Sequence, residues 1–146
     1  MMGRVTRRKG FTLLEVLVVV AIIVLLAAGA VVGYDRVLRG ARIDTTKARI
    51  RDVENAIEIF QTKLGRYPSA DKKLEELLTA PDDEKEAEKW KEFGPLFTEM
   101  PTDAWGKEFT YELTDSDNGP TYSIRSCGPD GVEGTDDDIF GKNKTQ

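Results

Sequence analysis

The sequence predicts an α+β protein in which one long N-terminal helix, hydrophobic in its first half, packs on a small antiparallel sheet. Three observations lead there. Residues 11–33 form an apolar run, an apolar stripe at helical spacing continues to Leu64, and two short segments rich in aromatic and β-branched residues, 108–113 and 121–126, flank a turn. The chain thereby divides into a basic leader (residues 1–10), an apolar helix (11–33) and an acidic α+β body (34–146).

Composition narrows the chemistry. The 146 residues carry 21 Lys+Arg, 26 Asp+Glu, no His and one Cys. A His-ligated or four-cysteine zinc site, a Ser-His-Asp triad and an internal disulfide are therefore excluded on inventory. A net charge of -5 also argues against nucleic acid as a partner, because phosphate binding needs a cationic face. The charge is unevenly placed: Arg4, Arg7, Arg8 and Lys9 open the chain with no acid among them.

As a helix, residues 11–33 would extend roughly 34 Å at about 1.5 Å per residue, enough to cross a bilayer core. A secretory signal peptide, a permanent transmembrane helix and the retained helix of a processed filament subunit all fit such a run. Ala28-Gly29-Ala30 is an A-x-A-like cleavage site and keeps the signal-peptide reading open. Glu15 is the only charge in the run, and an acid near the start of a hydrophobic segment has no use in a simple signal peptide. It suits either the positive end of a helix dipole or, in hydrocarbon, a pairing cation. Cleavage between Gly10 and Phe11 would create that cation, a free ammonium one helical turn away or on a neighbouring subunit.

Beyond the run, Ile50, Val53, Ile57, Phe60 and Leu64 recur at steps of three and four, which puts them on one helix face, with Arg49, Arg51, Asp52, Glu54 and Glu58 filling the other positions. The helix is expected over residues 12–63, stopped by Gly65 with Pro68 just beyond. Ser69 is expected to cap a short helix over residues 70–78, and the alternating charges of residues 82–91 read as a solvated helix or loop. Asp115-Ser116-Asp117-Asn118-Gly119 reads as the turn between the two strands. An EF-hand is excluded there, since the glycine falls at the fifth place and Ser126 stands at the twelfth, where a bidentate Glu is required. Trp90 and Trp105 read as packed aromatics, Trp105-Gly106 forming a corner before the first strand. No internal repeat or low-complexity tract is present.

From Gly128 to Ile139 the chain places Asp130, Glu133, Asp136, Asp137 and Asp138 among three glycines. Oxygen donors on a looped backbone suit a hard cation, and Ca2+ accepts 6–8 oxygens in flexible geometry where Mg2+ demands a near-ideal octahedron. On chemistry alone, a Ca2+ site and a solvated acidic turn both stay open.

Arg8-Lys9-Gly10-Phe11-Thr12-Leu13-Leu14-Glu15 with the apolar run behind it closely resembles the processing signature of type IV pilins and pseudopilins. The resemblance implies a pilin-like fold, cleavage after Gly10 by a prepilin peptidase, N-methylation of Phe11, and a Glu15 that aligns subunits in a helical filament. Arg66-Tyr67-Pro68, Asp103-Ala104-Trp105-Gly106 and the Gly128 to Ile139 stretch are similar to successive landmarks of the major pseudopilin of type II secretion systems. That family implies a C-terminal calcium loop. Carried over by position, Asp130, Asp137 and Asp138 would supply carboxylates and Cys127, Val132 and Thr135 carbonyls, with Asp136 supporting the ligands from outside or facing solvent and the Cys127 thiol packed as a small hydrophobe. Val32-Gly33 stands where many members carry a proline, so local unwinding is not implied there, although Gly29 and Gly33 would permit it.

The implied role is a structural, non-enzymatic subunit of a periplasmic pseudopilus that supports export of folded proteins across the outer membrane. Its implied partners are further copies of itself, minor pseudopilins, the prepilin peptidase, the inner-membrane secretion platform and, before assembly, lipid. The bases from Arg36 to Arg51 outnumber those before the run, so charge does not orient the segment. The resemblance implies a single-pass inner-membrane protein with a periplasmic body. A type IV pilus subunit and a secreted or membrane-anchored calcium-binding domain are the alternatives.

Overall fold

The computed structural model describes residues 10–117 and 119–142, and of residues 29–33 the backbone only. The leader, apart from Gly10, lies outside the described residues, as do Asn118 and residues 143–146. Two compact units divide the chain, Met1–Leu38 and Arg39–Gln146. Helix α1 (Leu13–Leu64) contributes to both, and its assignment includes Val32 and Gly33.

In the first unit the described apolar side chains are exposed, Leu13 by 82%, Leu17 by 62% and Leu25 by 74%. Among the described residues no helix is long and apolar enough to cross a membrane. The described side chains of the apolar run stop at Ala28 and resume at Tyr34, however, so the run read from the sequence extends beyond them.

In the second unit α1 presents the expected stripe. Ile50, Val53, Ile57 and Phe60 are fully buried, and Leu64 is partly so. They pack with Tyr111, Tyr122, Ile124 and Ile139 from the sheet, and with Leu74, Leu77 and Trp90 from two short helices. Gly65 ends α1, its N–H donating to the Gln61 carbonyl at 2.8 Å. Glu54 departs from the expected polar face: it is buried.

The segment after Pro68 is not the capped α-helix expected over residues 70–78. It forms a 3-10 helix, α2 (Lys73–Leu77), whose first residue, Lys73, has a positive φ of 49°. The Ser69 hydroxyl accepts the Lys72 N–H at 3.3 Å but also donates to Glu76 at 2.8 Å, so it serves a tertiary contact as well as the turn. Arg66 bridges Glu76 at 2.6 Å and Glu86 at 2.7 Å and lies over the Phe60 ring. The Glu86 hydrogen bond, followed by Glu76, holds the guanidinium well above its ordinary pKa despite partial burial. The charged run resolves as α3 (Glu84–Phe93), N-capped by Asp83, whose side chain accepts from Lys85 and Glu86. Its Trp90 turns inward, edge-on to Phe60 and Phe93, as the core reading expects.

The sheet has order β1-β2-β3, with β1 (Thr110–Ser116), β2 (Gly119–Ser126) and β3 (Ile139–Phe140) all antiparallel. Both expected strands run further into the turn, to a Ser116 and Gly119 pair. β3 was not expected. Two residues carry no readable periodicity, and this strand exists because β2 offers it an edge.

Candidate functional site

The β2–β3 pairing builds the site's neck. Ser126 pairs with Ile139, so the chain between them, residues 127–138, is a loop closed at its base by the sheet. Gly128 leaves the neck at φ +62°, and a Cβ there would run into the Asp137 carbonyl. Only glycine lets the two arms of the loop approach so closely.

Within the loop the carboxylates organise the backbone. Asp130 Oδ1 accepts the Val132 N–H at 2.8 Å, and Asp138 Oδ2 accepts the Gly134 N–H at 2.8 Å. Asp137 Oδ2 accepts the Asp130 N–H at 3.2 Å, while its Oδ1 meets the Thr135 hydroxyl at 2.5 Å. The Thr135 hydroxyl also lies 3.1 Å from the Val132 carbonyl. It has one proton, and the charge-assisted bond to Asp137 is the stronger, which leaves the Val132 carbonyl free to accept elsewhere. That hydroxyl, then the backbone, holds the Asp137 carboxyl below its ordinary pKa against the opposing effect of burial. The Cys127 carbonyl accepts the Gly131 N–H at 3.1 Å and the Thr135 carbonyl the Asp138 N–H at 3.2 Å.

One oxygen is left over: Asp138 Oδ1 is buried, and among the described residues no group donates to it. An ionised acceptor in that position is costly unless a cation or donor reaches it. The structure thus brings Asp130, Asp137 and Asp138 into one loop with the Cys127, Val132 and Thr135 carbonyls, and each carbonyl keeps a second lone pair. By donor type the residues fit a hard cation. Among the described residues, however, no three acids converge on a common point, because each carboxylate turns at least one oxygen to a loop N–H or hydroxyl. Asp136 is exposed, and Cys127 is a half-buried free thiol.

At the other end of the chain, Gly10 and Phe11 are exposed. Thr12 and Glu15 form a reciprocal cap at the start of α1: the Glu15 N–H donates to Thr12 Oγ1 at 3.3 Å and the Thr12 N–H to Glu15 Oε2 at 3.4 Å. Both are long bonds to exposed groups, so they orient the carboxylate more than they occupy it.

Sequence reasoning missed the groups outside the loop that hold it. Asp103, read only as part of a family landmark beside the Trp105-Gly106 corner, is fully buried and receives the Ser126 hydroxyl at 2.6 Å. Lys107 donates to the Gly131 carbonyl at 2.7 Å, and Arg125 pairs with Glu112 and Glu133. The one available signal was an acid two residues before a Trp-Gly pair that leads into a strand.

Comparison with known proteins covers both regions. The family model for "Type II secretion system (T2SS), protein G" matches residues 35–141, and that for the "Prokaryotic N-terminal methylation motif" matches residues 5–31. The type II secretion system core protein G of Pectobacterium carotovorum subsp. carotovorum is 33% identical over 91% of this chain and 83% of its own length. That of Escherichia coli (strain K12) is 33% identical over 91% and 90%, and that of Vibrio cholerae 33% over 94% of each. A crystal structure of the major pseudopilin from the type 2 secretion system of enterohaemorrhagic Escherichia coli superposes with a TM-score of 0.53 at 25% identity, covering 69% of this chain and 86% of that one.

Proposed function

The chain belongs to the protein G family of the type II secretion system, and from that premise we propose that it polymerises into a periplasmic pseudopilus that supports export of folded proteins across the outer membrane. The observation that carries this reading is the junction of a methylation-type N-terminus with a protein G body in one chain, joined by an apolar helix whose described side chains are exposed. An apolar surface of that extent has to be covered. Lipid covers it first, with residues 11–33 as a single inner-membrane span and the body in the periplasm, and neighbouring copies cover it after assembly. The prepilin peptidase, the inner-membrane platform and minor pseudopilins act on or beside this subunit.

Glu15 has a place in that transition. Once Gly10 is removed, the ammonium of Phe11 on a neighbouring subunit pairs with the Glu15 carboxylate, and in hydrocarbon an unpaired charge is the costlier alternative. Calcium has its place at the other end. Asp130, Asp137 and Asp138, with the Cys127, Val132 and Thr135 carbonyls, would hold Ca2+, which would order the loop at the subunit surface by cross-linking its two arms. The buried, undonated Asp138 Oδ1 supports this.

Intact mass and N-terminal fragmentation of the protein from membranes of a host with its own prepilin peptidase test the reading. A chain beginning at methylated Phe11 is expected. A chain beginning at Val31 would make the protein an ordinary secreted domain. Glu15→Val subunits are expected to stay in the membrane and not polymerise, and filament yield equal to the parent's would remove the pairing argument.

A further inference from the structure

The 127–138 loop is held from outside by side chains that are not among its proposed ligands. Asp103 and Ser126 are both buried, at 1% and 0% exposure. Asp103 Oδ1 accepts the N–H groups of Trp105 and Lys107, each at 2.9 Å, and Oδ2 accepts the Ser126 hydroxyl at 2.6 Å. Ser126 Oγ in turn accepts the Gly128 N–H at 3.1 Å. A continuous hydrogen-bonded chain therefore runs from the Asp103 corner to the first residue past the loop's entrance.

The same corner aims Lys107. Its N–H lies on the Asp103 carboxylate, its carbonyl accepts the Asp103 N–H at 2.7 Å, and its ammonium donates to the Gly131 carbonyl at 2.7 Å. Gly131 has φ +65°, and a Cβ there would collide with Lys107 Nζ. The loop is thus gripped at Gly128 and at Gly131, the two ends of the turn that contains Asp130. The Cys127 carbonyl is fastened across that turn by Gly131 N–H. On the far side, Arg125 grips Glu133.

We infer that Asp103, Ser126 and Lys107 are positioning residues for the ion loop: the corner they form preshapes the 127–131 turn, so that Ca2+ meets the Cys127 carbonyl and the Asp130 carboxylate already arranged. The inference rests on the calcium reading of the loop and extends it. Preshaping matters because a cation that must first order its loop loses affinity in proportion to the fraction of time the competent shape is unpopulated.

Simple electrostatics makes the opposite forecast for Lys107. Deleting a positive charge beside a cation site relieves repulsion and tightens binding. Preshaping requires the deletion to weaken it. The sign of the change therefore separates the two.

The test uses the full chain in detergent micelles, comparing the parent with Lys107→Met, Lys107→Arg and Ser126→Ala. Amide hydrogen exchange is followed in EGTA, and Ca2+ is titrated by calorimetry. Lys107→Met is expected to exchange its 127–134 amides about tenfold faster in EGTA and to bind Ca2+ about tenfold more weakly, with α1 exchange unchanged. Ser126→Ala is expected to act in the same direction and Lys107→Arg to restore part of the loss. Lys107 is exposed, so its variants carry the test even if Ser126→Ala does not fold. Parental loop exchange and affinity, or tighter Ca2+ binding, in Lys107→Met overturn the positioning role alone. No Ca2+ binding by the parent overturns the ion reading and this inference with it.

Discussion

Glu54 Oε1 accepts the backbone N–H of Lys142 at 2.6 Å, so a carboxylate in the C-terminal part of α1 holds the chain just past β3. Glu54 is buried although it lies among the positions read as the helix's polar face. Next to it, the Gly141 N–H donates to the Ile124 carbonyl at 2.9 Å, and a Cβ at Gly141 would strike Glu54 Oε1. Glu54→Ala leaves the Lys142 donor unpaired and is expected to cost about 1–3 kcal/mol in denaturant unfolding. Glu54→Gln keeps an acceptor and is expected to cost less. Equal losses would show that packing, and not the bond, is what Glu54 supplies.

Tyr111 gives the body an alkaline limit. Its hydroxyl donates to the Pro68 carbonyl at 2.9 Å from a fully buried position, and burial pushes its pKa well above 10.0. Above pH 10 the unfolded chain loses the phenolic proton while the folded chain keeps it. The unfolded state then binds fewer protons, and stability falls as pH rises through that window. In Tyr111→Phe the alkaline decline is expected to be shallower, at a cost of about 1 kcal/mol near neutrality for the lost hydrogen bond. Unfolding curves from pH 7 to 11 measure both.

At Asp138 a structural role and the proposed ligand role can be told apart. Its Oδ1 is buried without a donor, so the neutral amide of Asp138→Asn is less costly to bury there. Without Ca2+ the variant's melting temperature is expected to equal or exceed the parent's. With millimolar Ca2+ the order reverses, because the parent gains from binding and the variant does not. An equal calcium-dependent gain in both would remove Asp138 from the ligand set.

Two loop glycines offer a graded comparison. Gly134 has φ +87° with open space around its Cβ position, so Gly134→Ala carries only the left-handed penalty of about 1–2 kcal/mol. Gly128→Ala adds a collision with the Asp137 carbonyl and is expected to cost more and to abolish the calcium-dependent gain in stability. Indistinguishable melting of the two variants would mean that the loop arms are free to move apart.

Much of this was legible because its signals are local. The Ile50, Val53, Ile57 and Phe60 spacing reports a buried helix face whatever lies against it, and Gly65 stops the helix by its own geometry. The acids of residues 130–138 were legible as a loop for the same reason. Ser69 misled because its hydroxyl, besides bonding the next turn, is drawn to Glu76, a partner that a local capping rule does not see.

By itself the sequence determined the processing signature, the apolar run, the helix face and the cluster of acids and glycines in the C-terminal loop, all properties of residues close together in the chain. Tertiary structure alone decided which distant groups meet: buried Glu54 on Lys142, buried Asp103 on Ser126, exposed Lys107 on Gly131, and β3 on the edge of β2. A charged or polar side chain enters the interior only when a partner satisfies it. For Glu54 and Asp103 the partners Lys142 and Ser126 lie 88 and 23 residues away, where no local pattern reaches.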